Sequence, residues 1–393
     1  MRIKLFEKQT DHLRLLPLTY TRSVGDLRVG ILTIAEKWSH HLKAEVFQES
    51  VPELSEKYPV GQQADLIILA GLLPDQELLK AIDPLEKGSG LYNSAGELLV
   101  GKPHDHQLTN DLNRIEYPGS YDQIIYPWDL FRLNGQEIRK DYHLITYNRK
   151  SESLNDIHTR TYGVDIFIEK GAKIRAAILN AENGPIYIGK NTDIQEGSMI
   201  KGPFALCEGA ILNMGTKVRG DSTIGPYSKI GGEVSNSVLL GYSNKGHDGF
   251  IGNSVLGEWC NLGADTNTSN MKNNYGTVKM WDFEQEKFID TGLQFCGLIM
   301  GDHSKCSINT MFNTGTTVGV SANIFGEGFP RNFIPSFSWG GKHGFITYRT
   351  EKVFETAVLA MKRRGKTLTD MDRKILVDIF DRTAHHRNWE KHS

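Results

Sequence analysis

The 393-residue chain sets 45 Lys and Arg against 47 Asp and Glu, for a formal net charge of −2 and a pI of about 6.7. That balance excludes a dedicated nucleic-acid binder, which would carry a basic excess. No apolar run approaches the ~18 residues a membrane span needs, and the stretch from Met1 to His12 is polar, so a cytoplasmic protein without a membrane partner is expected. The four cysteines (Cys207, Cys260, Cys296, Cys306) form no C-x-x-C pair and no Cys/His zinc spacing, as suits a reduced compartment.

From the start of the chain to about residue 155, short apolar runs alternate with helical spacing, which predicts an α/β domain. Ile3 to Phe6 reads as an edge strand, Ile31 to Leu42 as a helix, and Asp65 to Ala70 as a buried strand. Pro74 to Leu85 follows as a helix, its proline suited to the first turn. Leu91–Tyr92 and Leu98–Val100 flank the turn-forming Asn93 to Glu97 and predict a hairpin. Tyr126 to Ile145 is a further helical stretch.

Residues 156–345 follow a different rule. Ile188, Ile194, Ile200, Leu206, Leu212, Val218, Ile224 and Ile230 recur every sixth residue. Four positions after most of them stands a small residue: Thr192, Ser198, Ala210, Thr216, Ser222 and Ser228, with Phe204 the exception. The period resumes at Met300, Cys306, Phe312, Val318 and Ile324. Neither a helix nor an alternating strand has a period of six. It marks a left-handed parallel β-helix, in which each hexad forms one face of a coil, the aliphatic residue points to the axis and the small residue turns the corner. The 40 glycines of the chain, many of them in this region, supply the turns.

Residues 346–393 return to helical spacing. Val353, Ala357, Leu359 and Met361 sit in one expected helix and Leu368 to Phe380 in another, a segment able to cap the solenoid.

Such a solenoid encloses no cavity, so chemistry is expected where the repeat is interrupted, chiefly between Gly241 and Asp282. That stretch holds His247 and then a run from Trp259 to Tyr275 dense in Asn, Thr and Ser, too polar to pack a core and suited to a polyhydroxy ligand. The segment SNKGHDGFIGNSVLGEWCNLGADTNTSN resembles the acetyltransferase half of bifunctional bacterial acetyltransferase/uridylyltransferases and their archaeal sugar-1-phosphate nucleotidyltransferase relatives, over roughly residues 185–330. The resemblance implies that His247 is the general base, that Asn261 and Asn270 lie in the amino-sugar and acetyl-transfer site, that acetyl-CoA is the acyl donor, and that the chain forms a homotrimer with its sites between neighbouring subunits. A free imidazole accepts a proton near neutral pH, which an attacking amine requires. The family Tyr is Phe250 here, and N-x-G-A-G reads Asn261-Leu262-Gly263-Ala264-Asp265. The family's basic residues for the sugar phosphate fall near Gly231 and Ser235, which leaves Lys245 and Lys272 to supply that charge.

Arg14-Leu15-Leu16-Pro17-Leu18-Thr19-Tyr20-Thr21-Arg22 resembles the R-L-x-P-L-T segment of sugar-1-phosphate nucleotidyltransferases. The strand from Ala64 to Pro74 resembles the one before their metal site, and Pro127 to Phe131 a later segment of the archaeal relatives. Three parts of the active pattern are missing. The phosphate-cradling glycine loop is replaced by Gln9 to Leu13, the metal carboxylate by Leu72, and no lysine follows Thr19. Mg²⁺ is implied only if this domain is active, with Asp26, Asp65 or Asp75 as substitute ligands, and Arg14, Arg22 and Arg28 are the candidates for a sugar phosphate or nucleotide. The leading expectation is an acyl-CoA-dependent transferase acting on a sugar phosphate or nucleotide sugar. The alternatives are an active nucleotidyltransferase that uses the solenoid to oligomerise, and a non-catalytic sugar-nucleotide-binding regulator.

Overall fold

A computed structural model describes residues 1–59, 63–104 and 112–392, in two compact units. The first comprises Met1–Leu15, Arg22–Leu27 and Leu32–Tyr126; the second comprises Leu16–Thr21, Arg28–Ile31 and Pro127–Ser393. Among the described residues no helix is long and apolar enough to cross a membrane.

The first unit is a six-stranded mixed sheet of order β2-β1-β3-β5-β4-β6, from β1 (Arg2–Phe6), β2 (Glu45–Glu49), β3 (Leu66–Leu69), β4 (Ser89–Tyr92), β5 (Leu98–Lys102) and β6 (Asn113–Glu116). The expected edge position of the first strand is wrong: β1 lies between β2 and β3, parallel to both. Ile3 and Leu5 are buried, and the intervening Lys4 spends its charge on Glu49 across the β1–β2 pair at 2.6 Å. β3 is buried along its whole length, as its unbroken Leu66-Ile67-Ile68-Leu69 run requires. After the short α1 (Gln9–Arg14), helix α2 (Ile34–Leu42) starts at a capping box of Thr33 and Glu36 and buries Ile34 and Trp38. Helix α3 (Gln76–Ile82) starts later than Pro74, because Asp75 caps it by accepting from Leu78 N at 2.8 Å. The β4–β5 hairpin turns at Asn93, whose side-chain oxygen accepts from Ala95 N and Glu97 N.

The long run of the second unit begins with α4 (Pro127–Thr146), ahead of the change of sequence pattern near residue 155. A parallel β-solenoid with three walls follows. In one wall Ile188 pairs with Leu206 and Leu206 with Ile224, so three hexads make a coil. All eight residues of the first hexad run lie in a single buried core, and the later Met300, Cys306, Phe312, Val318 and Ile324 join it. The small residues at the corners are fully buried, and Thr192, Thr216 and Ser222 donate to nearby carbonyls. Phe204 also faces inward.

The repeat is interrupted later than the start at Gly241 that the sequence suggested. After Ile224 the partners are Leu239 and then Leu256, so the coils shorten and lose the sixfold phase but continue. The polar run is coil as well: Asn261–Leu262 and Asn267–Thr268 are strands, with Leu262, Thr266 and Thr268 buried. The true excursion lies beyond Asn270 and carries an antiparallel hairpin of Lys279–Asp282 and Lys287–Asp290. The last coil ends in a hairpin of Ser338–Gly341 and Gly344–Thr347. Helices α5 (Thr350–Lys362) and α6 (Asp370–Arg382) follow; Phe380 packs edge-on against Phe337 at 5.0 Å, and Leu359 faces outward.

The segment resembling R-L-x-P-L-T belongs to the solenoid unit over Leu16–Thr21. Thr21 donates to Asp302 at 2.7 Å, and Tyr20 meets Phe283 edge-on. Further on, Thr223 donates to Gly30 O, while Asn134 and Asp141 of α4 accept from the backbones of Gly30 and Ile31.

Candidate functional site

On one wall of the solenoid the register places Lys229 beside Asn244, Asn244 beside Asn261, and Asn261 beside Lys305. Each of these residues precedes an inward-facing one (Ile230, Lys245, Leu262, Cys306), so strand alternation turns all four outward. They form one wall of a cavity of about 780 Å³, also lined by His247, Asn213, Tyr242 and Trp259, and by Ala360, Arg363 and Arg364 at the end of α5. Arg364 donates to Asn244 Oδ1 at 3.0 Å. No Asp or Glu is among the described residues that line it.

His247 is exposed and stands between this cavity and a second of about 740 Å³, which is lined by Asn213, Met214, Asp248 and Asp265 among others. Two features fix its segment. At Gly231 a Cβ would come within 2.5 Å of Gly246 O and 3.1 Å of His247 N, so only glycine lets the chain at residues 246–247 approach. Within the coil, Lys245 is fully buried, and its Nζ donates to the carbonyls of His247 at 2.6 Å, Asp248 at 2.9 Å and Gly231 at 3.3 Å.

Lys245 therefore cannot contact a ligand in the cavity, contrary to expectation, because the register that turns Asn244 out turns it in. Burial lowers its pKa to about 8, against the opposing pull of Asp248 and Asp265. Asn261 shares the cavity with His247, but Asn270 and Lys272 are not among the residues that line it. Asn270 donates to Asn253 at 2.8 Å, and Lys272 lines a separate cavity of about 720 Å³ with Trp281 and Arg331.

The positive charge comes from residues that the sequence did not single out. Burial lowers the pKa of Lys305, and burial reinforced by Arg364 and Arg363 lowers that of Lys229. Arg364 is shifted down by burial and by Arg363. Arg363 and Arg364 thus crowd Lys229, and Arg363 crowds Arg364, a strain that an anion between them would relieve. Lys229 and Lys305 stand directly before core positions of the hexad pattern, a signal that they point outward, but no sequence feature marks Arg363 and Arg364 as their neighbours. Along one corner of the coils Tyr227, Tyr242, Trp259 and His303 stack with centroids 4.3–6.3 Å apart, and two of these rings border the cavity.

In the first unit, Leu72, which the resemblance aligns with the metal carboxylate, is fully buried, its carbonyl accepting from Trp38 Nε1 at 2.9 Å. The substitute carboxylates are all engaged elsewhere. Asp26 accepts from Gln48 and Tyr58, Asp65 accepts from Arg2 N, and Asp75 caps α3. Beyond the end of β1, where parallel strands present ligand sites, a protein carboxylate collects the donors instead. Glu7 accepts from Val24 N at 2.8 Å, Val51 N at 3.1 Å, Ser23, Ser50 and the His12 ring. Burial opposes its ionisation, but the bonds from His12, Ser50 and Val24 outweigh it and hold the pKa below the usual value. Arg22 is buried, Arg14 is half-buried, and Arg28, in the other unit, donates to Ile31 O.

Residues 3–150 match the family model described as sugar nucleotidyl transferase. The chain is 25% identical to "Bifunctional protein GlmU" of Methanococcus aeolicus over 78% of its own length and 66% of that protein's. It is also 25% identical to a "Bifunctional sugar-1-phosphate nucleotidylyltransferase/acetyltransferase" of Sulfurisphaera tokodaii, over 60% of this chain and 55% of the relative. An Escherichia coli protein named "Uncharacterized acetyltransferase YaiX" is 26% identical over 40% of this chain and 68% of its own. The chain thus spans at most about two thirds of the two bifunctional relatives, and their names join the two chemistries suggested by the sequence motifs.

Proposed function

We propose that this protein transfers an acyl group, acetyl in the simplest case, from acyl-CoA to a sugar carrying a phosphate or nucleotide, at the cavity beside His247. The observation that carries the proposal is the joint presence there of His247, Asn261 and the cations Lys229, Lys305, Arg363 and Arg364, with no carboxylate among the described lining residues. In the reaction, the acceptor nitrogen or oxygen bonds to the thioester carbonyl carbon while His247 takes its proton. The carbon–sulfur bond then breaks, and the CoA thiolate receives the proton from His247. Asn261 and Asn244 offer amides to sugar hydroxyls, and the four cations hold phosphate oxygens. The relatives' names support acyl transfer, and a homotrimer is part of this reading, to be checked by sedimentation equilibrium.

The reading also gives the first unit a non-catalytic role. It rests on Leu72 at the metal position and on Glu7 occupying the donors beyond β1. The test is a panel of hexosamine phosphates and nucleotide sugars with acetyl-CoA and longer acyl-CoAs, following free CoA and pyrophosphate in parallel. CoA release that depends on one acceptor supports the proposal. Pyrophosphate release without CoA release points to a nucleotidyltransferase instead.

A further inference from the structure

Away from that cavity, the excursion's hairpin and the C-terminal turns meet at three side chains. Glu286 lies in the turn between strands Lys279–Asp282 and Lys287–Asp290, and His385 and His386 lie in the 3₁₀ turn after α6. One ligand-capable atom from each falls within 4.8 Å of the other two. His385 Nε2 is 2.8 Å from Glu286 Oε1, and the two imidazoles lie side by side with centroids 3.9 Å apart, tilted by 44°. We propose that Glu286, His385 and His386 bind one divalent transition metal ion, with Zn²⁺ the natural occupant and a fourth position open to water.

The donor set selects the ion. Two imidazoles and one carboxylate suit Zn²⁺ and its neighbours, whereas Mg²⁺ and Ca²⁺ favour oxygen ligands throughout. Bonds of ~2.0–2.2 Å to Zn²⁺ require the three atoms to draw together by modest side-chain rotation. Glu286 and His385 are exposed, so no core packing opposes that rotation. His386 is the anchor: its ring stands edge-on to Phe333 at 5.3 Å, Phe283 at 6.0 Å and Trp281 at 6.1 Å. The adjacent Arg387 turns its charge to Glu390 at 2.7 Å, which limits its repulsion of a cation. An occupied site would tie the hairpin to the chain after α6, elements the sequence separates widely. The simpler account of the same atoms is an exposed Glu286–His385 ion pair with His386 as a packing residue, and the two accounts differ in what they predict.

The experiment uses full-length protein without a histidine tag, stripped with chelator and titrated with Zn²⁺, and with Co²⁺ as a spectroscopic probe. The proposal expects one equivalent of Zn²⁺, visible d–d absorption from bound Co²⁺, and a melting temperature raised by the metal. His386→Ala should weaken binding by more than the ~10–100-fold that loss of an outer-shell partner costs. Glu286→Gln combined with His385→Gln changes only exposed side chains, so it should fold as the wild type does and lose the metal-dependent rise in melting temperature. Absence of stoichiometric Zn²⁺ binding by the wild type, or unchanged affinity in the double variant, overturns the proposal.

Discussion

Lys245 Nζ lies 2.6 Å from the carbonyl oxygen of His247, so a cation inside the coil holds the backbone of the residue whose side chain faces the cavity. Lys245→Met keeps the volume but withdraws the donor from three carbonyls, at a cost of about 1–3 kcal/mol. We expect a lower melting temperature and a turnover reduced by more than that loss explains, because His247 is no longer fixed. Full acyl transfer by a destabilised Lys245→Met enzyme would separate this bond from the site.

The same lysine gives stability a pH dependence. Its folded pKa of about 8 lies below the unfolded value, so the unfolded chain holds more protons between pH 8 and about 10.4. The burial penalty of this group is present below pH 8 and relieved as pH rises through that window. Wild type should therefore gain stability relative to Lys245→Met from pH 8 upward in chemical denaturation. A constant difference across that range would contradict the assignment.

At Gly231 an added Cβ would meet Gly246 O at 2.5 Å, a contact backbone atoms cannot yield cheaply. Gly231→Ala should destabilise the protein by about 1–3 kcal/mol, the range for overpacking, and reduce acyl transfer with it.

That site shows what the sequence could and could not reveal. The hexad run through Ile230 was legible because each coil repeats one geometry, and the short motif pointed to His247 and Asn261, which line one cavity. Lys245 was misread because coils after Ile224 shorten, so counting by six no longer tells inside from outside. For the same reason the Asn-rich run looked like a loop, although Thr266 and Thr268 fill interior positions usually given to aliphatic residues. Arg363 and Arg364 were invisible for another reason: their place beside Lys229 depends on how α5 packs, and nothing local records it.

In the proposed reaction the half-buried Arg364, beside the exposed Arg363, would supply charge-assisted bonds to the phosphate. Arg364→Ala should raise the KM of the phosphorylated ligand by about 10–100-fold, from roughly 1.5–3 kcal/mol for a bond to a charged group, and leave kcat close to wild type. Added salt should weaken wild-type binding more than the variant's. Equal KM values for wild type and variant with every phosphorylated acceptor and acyl-CoA tested would remove these arginines from the site.

The first unit should release no pyrophosphate from any nucleoside triphosphate with hexose 1-phosphates and Mg²⁺. Without a metal carboxylate, the charge on the attacked phosphate goes unneutralised. Sustained turnover with any pair would show that Asp26, Asp65 or Asp75 leaves its present partner to hold the metal.

The central claim is that His247 is the base for acyl transfer, and the most direct measurement is CoA release by His247→Ala beside wild type, with the best acceptor from the panel. His247 is exposed and its side chain is no part of the core, so the variant should melt as the wild type does. The account predicts turnover lower by about 10²–10⁴-fold, the share of a positioned general base. CoA release at the wild-type rate from the folded variant would contradict it.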